Sequence, residues 1–505
     1  MASLHSRYDP RGEAEKYLNS LNLGASVKYF ILIEPGEGYL IPVLRRRFPP
    51  AKIVVLHACP PRQGGEEGVP VWHPGCGQSV AQFLEAQIPD TEAGAVKLVE
   101  WRPALALYGK AYWELLKGAA NFIRRADANA RTLRGFGRRW MRNFFRNLRL
   151  PLDFTEWRRV SGPVVITGSG PSLEEALPQI RVMAPRPLIL AASSSVMALY
   201  AGGLVPDMVI GTDGSGWALI HLRECLRYPG RDGGSGPDHG APFVLALSLC
   251  AALPSQCAEA PVIALNDGSL WQSLVYRGLG IPSLAVPSRG TVTASALDLA
   301  LALGSGNIFL CGMDLAVRDI RTHARPYGFD FLMRDTRFSP LYSLAFSRSG
   351  ELRRGRSHEV YASWFDEERR SWAGRVFSLG ANHPVFDDLQ IPATASPARP
   401  ASTPSIHDGL PCPAGGRALD GVPDTARRFR AVSGSAGNGG NGSPAGSPAG
   451  RAAGAADILL GALKDPGLAD PLMKELVPLL FPEKREAGLR EVAAELAALG
   501  YGKKE

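Results

Sequence analysis

Cysteine is scarce and unpaired in this chain of 505 residues. Cys59, Cys76, Cys225, Cys250, Cys257, Cys311 and Cys412 are scattered, and no C-x-x-C occurs. That pattern argues against a zinc site or a disulfide framework and suits a reducing compartment, so a cytoplasmic location is expected. Long hydrophobic runs are also missing. The longest, FVLALSLCAALP from Phe243, is too short to cross a bilayer, and no membrane span is expected. The opening MASLHSRYDPRGEAEKYL lacks the apolar stretch of a secretory leader. No G-x-x-x-x-G-K-[ST], H-E-x-x-H or G-x-S-x-G is present, which leaves Walker-type ATPase, zinc protease and hydrolase readings without support. Outside residues 124–159 the charge is about balanced. Within them, eleven arginines face only Asp127, Asp153 and Glu156, and this segment carries the whole net charge of +8. No basic module with interleaved aromatics accompanies it, so the segment reads as a surface for phosphate or an anionic partner rather than for nucleic acid.

The length calls for two or three domains. Residues 1–100 read as one α/β unit, with strands in VKYFILIE and AKIVVLHA and a helix in YLIPVLRRRF. Residues 101–159 read as an arginine-rich helical connector, in which Phe136, Trp140, Phe144 and Leu148 recur at i+4 as a core-facing stripe. From 160 to 315 continuous apolar strands alternate with helices, the pattern of a parallel sheet covered on both faces, and a more polar, arginine-rich stretch completes the domain to 390. The fold class is therefore α/β and Rossmann-like, with a smaller unit of the same kind before it. Gly202 and Gly304 stand where helices should stop, as left-handed caps would. Residues 391–456 turn to Pro, Ala, Gly and Ser and are expected to be a disordered linker. A short helical tail, 457–505, follows, and its final helix carries Leu489, Val492, Leu496 and Leu499 on one side.

Three loops at strand ends could carry chemistry. The first is Gly168-Ser169-Gly170-Pro171-Ser172-Leu173, between the strand VVIT and an acidic helix start. Glycines there let backbone approach a ligand, a helix N-terminus offers N–H groups to phosphate, and Ser172 with Glu175 spells a capping box. Leu173 stands where a dinucleotide fingerprint needs its third glycine, so a tight corner and a nucleotide turn both remain open. The second loop joins Ser193, Ser194 and Ser195 with Asp213-Gly214-Ser215. Asp213 could bind ribose hydroxyls or, if the reaction is Mg²⁺-dependent, the cation, and a plain Asp-Gly turn stays open. The third is Arg289-Gly290-Thr291 before a helix, with Asp314 ending the next strand. Asp298 is given no role. His323 follows Asp314 and could serve as general base for a hydroxyl acceptor, with His383 a weaker candidate of the same kind.

TGSGPSLEEALPQI, AASSSVMALYAGGLVPDMVIGTDGS and GTVTASALDLALALGSGNIFLCGMDLA, in that order, resemble a domain shared by two groups. One is the motility-associated (Maf) glycosyltransferases of flagellin modification, themselves related to sialyltransferases with a G-P-S-L turn. The other is the archaeal 6-hydroxymethylpterin diphosphokinases of the MptE type. The resemblance implies transfer of a nonulosonic acid from a CMP-activated donor to Ser or Thr of flagellin or another flagellar protein, with no tightly bound cofactor. It places Gly168 to Leu173 and Asp213 at the nucleotide, and Asp314 and His323 at the reacting atoms. On the diphosphokinase side, Asp213 would hold Mg²⁺ between ATP phosphates. A binding module that keeps the fold without turnover is the third alternative. The turn Glu34 to Gly38 has two carboxylates where a phosphate turn wants none, so the first unit is expected to be structural or to bind protein.

Overall fold

The computed structural model describes residues 4–60, 68–157, 159–227, 243–304, 306–316, 321–328, 361–389 except 363, 367 and 373, and 447–502 except 483, 485 and 486. The chain divides into two compact units, Met1–Gly135 and Phe136–Glu505. The division falls within the helical stretch α4 (Leu105–Leu148), which is kinked at Gly109, inside the connector expected over 101–159.

In the first unit, helix α1 (Pro10–Ser20) precedes strand β1 (Tyr29–Ile33), α2 (Leu40–Arg47), β2 (Lys52–Leu56), β3 (Val71–Trp72), α3 (Val80–Gln87) and β4 (Val96–Glu100). The sheet is parallel in the order β3-β2-β1-β4, with Tyr29 opposite Lys52 on one side and Val96 on the other. All five residues of β1 are buried, which explains its unbroken run YFILI: a central parallel strand has no solvent face to alternate toward.

The second unit is built on a nine-stranded sheet. Its strands are β5 (Asp153–Phe154), β6 (Val164–Thr167), β7 (Leu188–Ala192), β8 (Met208–Gly211), β9 (Val244–Ser248), β10 (Pro261–Asn266), β11 (Ser283–Ala285), β12 (Ile308–Cys311) and β13 (Val376–Ser378). The order is β11-β10-β9-β8-β7-β6-β12-β13, every pair is parallel, and β5 joins β10 at the side. Successive strands from β6 step one way to β11, whereas β12 and β13 lie on the other side of β6. The order therefore reverses between β6 and β12, and the carboxyl ends of those two strands flank the crevice where such sheets take ligands.

Helices α5 (Leu173–Val182), α6 (Val196–Ala201), α7 (Gly216–Arg227), α8 (Leu270–Gly278) and α9 (Val292–Leu303) follow the strands. The nearly all-apolar α9 is buried over β6 and β7, and Trp364, Phe365 and Trp372 fill the same core. Each such side chain contributes about 1.5–3 kcal/mol through burial. The strands and helices expected between 160 and 315 are all found.

Three expectations are corrected. Gly202 and Gly304 do end helices, but neither is left-handed: φ is −79° and −157°. They are glycine because a Cβ would lie 2.7 Å from Leu177 Cδ1 and 2.2 Å from the Val160 carbonyl oxygen respectively. The linker expected over 391–456 overlaps helix α10 (Pro448–Ala462), so residues 448–456 are ordered, while 391–446 lie outside the described residues. The tail is also more than a short helix. Helix α10 packs with α11 (Pro466–Leu480), α12 (Leu489–Tyr501) and α8, and Gly500 lets α12 approach Ala456 closely. The arginine-rich end of α4 is partly committed to this assembly. Arg138 pairs with Glu495 at 3.2 Å, and Arg149 donates to the Leu499 and Gly500 carbonyls at the end of α12. The expected stripe grades from Phe136, 39% exposed, to the buried Phe144 and Leu148.

Candidate functional site

At the end of β6 the turn 168–173 is locked to the loop after β12. Gly168 N–H donates to Cys311 and Gly170 N–H to Gly312, each at 2.8 Å. A Cβ on Gly168 would lie 2.4 Å from the Gly312 carbonyl oxygen, and one on Gly170 would lie 2.0 Å from Asp314 Oδ2. Both glycines are thus required by close packing of two loops. Asp314 is buried, and it accepts from Ser172 N–H at 3.1 Å and from Ser172 Oγ–H at 2.6 Å. Its carboxylate occupies the helix N-terminus that an anion would otherwise seek. The capping box expected from Ser172 and Glu175 is not formed: Ser172 makes no side-chain bond to its own helix, because its hydroxyl is committed to Asp314. Leu173 is fully buried, and Pro171 is buried beside it. Ser169 and Gly170 remain half-exposed at the crevice.

The segment 321–328 lies over this turn. Ala324 N–H donates to the Ser169 carbonyl at 2.8 Å, Arg325 N–H donates to Glu174 at 2.8 Å, and Arg321 pairs with Glu174 at 3.1 Å. These bonds bring His323 beside the glycine turn. Its imidazole stacks on Tyr327 at 4.4 Å and 15°, and Tyr327 in turn meets His221 of α7 at 5.1 Å. His221 is 8% exposed, and burial lowers its pKa to about 4 against a smaller opposing pull from Asp213, so it is neutral near pH 7.

Asp213 is exposed and holds a local turn by accepting from Ser215 N–H and Oγ–H, both at 2.8 Å. It lies within electrostatic range of His221 and of Tyr361, whose pKa is raised first by burial and then by Asp213. Tyr361 also approaches Gly290, since a Cβ there would lie 3.5 Å from its ring. Sequence reasoning missed the rings here: His221 and Tyr327 cluster with His323, and Tyr361 stands between Gly290 and the electrostatic reach of Asp213. No motif marks these residues, and only the topology brings them to one edge.

Other candidates have local duties. Ser195 bonds Thr167 at 2.8 Å, the Ser193 carbonyl accepts from Cys225, and Ser194 is half-buried. Gly214 lies against Trp140, where a Cβ would be 2.4 Å from Cδ1, and its carbonyl accepts from Asn143. Thr291 caps α9 by accepting from Ala294 N–H at 3.0 Å. Arg289 pairs with Asp298 at 2.7 Å and lies over the Trp364 ring, so Asp298 does have a role. The pKa of Asp298 is raised by burial and lowered again by Arg289. His383 caps a short turn through Nδ1, which accepts from Val385 N–H. Among the described residues no three His, Cys, Asp or Glu side chains converge to hold a metal ion.

Residues 138–319, which supply most of these loops, match the family model described as 6-hydroxymethylpterin diphosphokinase MptE-like. That match starts on α4, ahead of the sheet, and takes in both flanks of the β6–β12 crevice. Two uncharacterized proteins of Treponema pallidum (strain Nichols) are similar. One is 29% identical over 306 residues, 61% of this chain and 65% of that protein; the other is 35% identical over 103 residues, 20% and 48%. The chain thus spans less than two thirds of the length of these relatives. A solved Maf glycosyltransferase from Magnetospirillum magneticum AMB-1 aligns over 98% of this chain and 82% of its own, with a TM-score of 0.46 and 13% identity. Among the described residues no helix is long and apolar enough to cross a membrane.

Proposed function

We propose that this protein is a Maf-like glycosyltransferase that moves a nonulosonic acid of the pseudaminic or legionaminic type from its CMP-activated donor to a Ser or Thr hydroxyl of flagellin. The observation that carries the reading is the bond from Ala324 to Ser169, which holds His323 at the glycine turn of the β6–β12 crevice. The acceptor oxygen attacks the anomeric carbon, the bond from that carbon to the CMP phosphate oxygen breaks, and CMP leaves with the electron pair. The acceptor proton passes to His323 Nε2, while Nδ1 faces Thr322 Oγ1 at 2.8 Å. His221, neutral near pH 7, meets the Tyr327 ring on which His323 stacks. Asp213, exposed just past the end of β8, would accept from sugar or ribose hydroxyls.

The family description favours a second reading, diphosphoryl transfer from ATP to 6-hydroxymethyl-dihydropterin. In that case Asp213 would hold Mg²⁺, which would offset the charge of the ATP phosphates. Incubating the full chain with CMP-activated nonulosonic acids and flagellin, and separately with Mg-ATP and the pterin, decides between them by mass spectrometry. Glycosylated flagellin that disappears with His323→Ala supports the proposal. ATP-dependent pterin diphosphate overturns it, and CMP binding without either product leaves a binding module.

A further inference from the structure

The first unit has a switch point of its own, between β1 and β4, and a ring from the same chain fills it. The strap Leu4–Ser6 lies there with His5 8% exposed. The imidazole stacks on Trp101 at 5.1 Å and 27° and meets Tyr39 edge-on at 4.9 Å. Its Nε2 accepts from Glu37 N–H at 3.0 Å, the Pro35 carbonyl lies within reach of the ring, and Nδ1 is 3.8 Å from Glu13 Oε2. Gly36, at φ +64°, makes the space, since a Cβ there would lie 2.2 Å from Nε2. The strap is held by Leu4 accepting from Trp101 Nε1–H at 2.9 Å and Ser6 N–H donating to Glu13 at 2.8 Å. Next to the slot, Tyr112 is 1% exposed, and its hydroxyl has no hydrogen-bond partner among the described residues. It lies within electrostatic range of Tyr17, Glu100 and Glu34, and the Tyr17 ring meets the edge of Trp101 at 5.2 Å.

We propose that this slot is a binding site for an aminated nitrogen heterocycle of the nucleobase class, taken as free base or nucleoside, and that the His5 strap is a resident occupant which the ligand displaces. Each of these contacts is one such a ring would use. Trp101 offers a flat face, Glu37 N–H serves a ring acceptor nitrogen, and Glu13, on the Nδ1 side, is an acceptor for an amino group. Glu34 is buried and fixed by His57 Nδ1 at 3.1 Å and by Ala58 N–H, and Glu37 shares the turn, so a phosphate is disfavoured there. The unit would thus read a base without its phosphates.

The test uses the full chain and a His5→Gly variant, with imidazole, cytidine and adenosine as probes. Millimolar imidazole should raise the melting temperature of His5→Gly and leave the parent unchanged. Cytidine or adenosine should bind His5→Gly at least about tenfold more tightly than the parent, because the strap no longer competes. Glu13→Gln, which loosens the strap and spares the stacking face, should fall between them and serves if His5→Gly does not fold. Adding Trp101→Ala should abolish the gain. A folded His5→Gly protein that neither imidazole nor a nucleoside stabilises overturns the proposal. So does imidazole rescue without nucleoside binding, or equal nucleoside affinity in parent and variant. None of these results bears on sugar transfer.

Discussion

Replacing Asp314 tests whether the two loops at the β6–β12 crevice are one interlocked structure. Asp314→Ala leaves the buried Ser172 N–H and Oγ–H without their acceptor. At about 1–3 kcal/mol for each stranded donor, the loss is about 2–6 kcal/mol. Gly170→Ala forces a Cβ to within 2.0 Å of Asp314 Oδ2 and 2.8 Å of the Gly312 oxygen, and overpacking of that kind costs about 1–3 kcal/mol. With Asp314 already alanine, the closer of the two clashes is gone. The double variant should therefore be less destabilised than the sum of the singles by about 1–2 kcal/mol. Urea unfolding read by hydrogen exchange at β6 and β12 keeps the measurement within the second unit. Additivity to within about 0.3 kcal/mol would refute the interlock and return the turn to an independent ligand loop.

Three further outcomes are expected. His221 has a folded pKa of about 4 against an ordinary 6.5, so the unfolded chain binds its proton first as pH falls. Stability of the second unit should drop between pH 6.5 and 4, and His221→Phe should flatten that slope in pH-dependent urea melts. Glu475 accepts from Leu270 and Trp271 N–H, both at 3.0 Å, and so caps α8 from the C-terminal helices. Glu475→Ala should cost about 1 kcal/mol and speed proteolysis of α10 to α12, with Gln restoring part of the loss. Burial pushes the Cys225 and Cys311 thiols up and that of Cys257 to about 12, so exposed Cys59 and Cys76 should react with iodoacetamide well before these three at pH 8.

Much of the fold was legible because its strands are central and parallel. VVIT, LILAA, MVIG and IFLC run without alternation, and serine stands just ahead of the helix that follows each of the first three. What sequence could not supply was strand order. Placing β12 beside β6 puts Gly312 against Gly168 and Asp314 against Ser172, so a carboxylate that read as a site residue also caps a helix. The ring cluster was hidden for the same reason: His221 and Tyr327 are 106 positions apart in sequence and touch only through the sheet edge. Proline-rich composition misled at 448–456, where Pro448 sits in the first turn of α10 and Ser447 caps it, a place that suits proline. The three C-terminal helices bury their apolar faces on one another and on α8, which no local pattern could announce.

The most direct test of the central claim is the hydrogen-exchange footprint of CMP on the full chain. Binding at the β6–β12 crevice should slow exchange in peptides covering 168–173, 212–216 and 321–327, and the effect should weaken in Asp213→Ala. Protection confined to other segments, or CMP binding that Asp213→Ala leaves unchanged with no protection at 168–173, would contradict it.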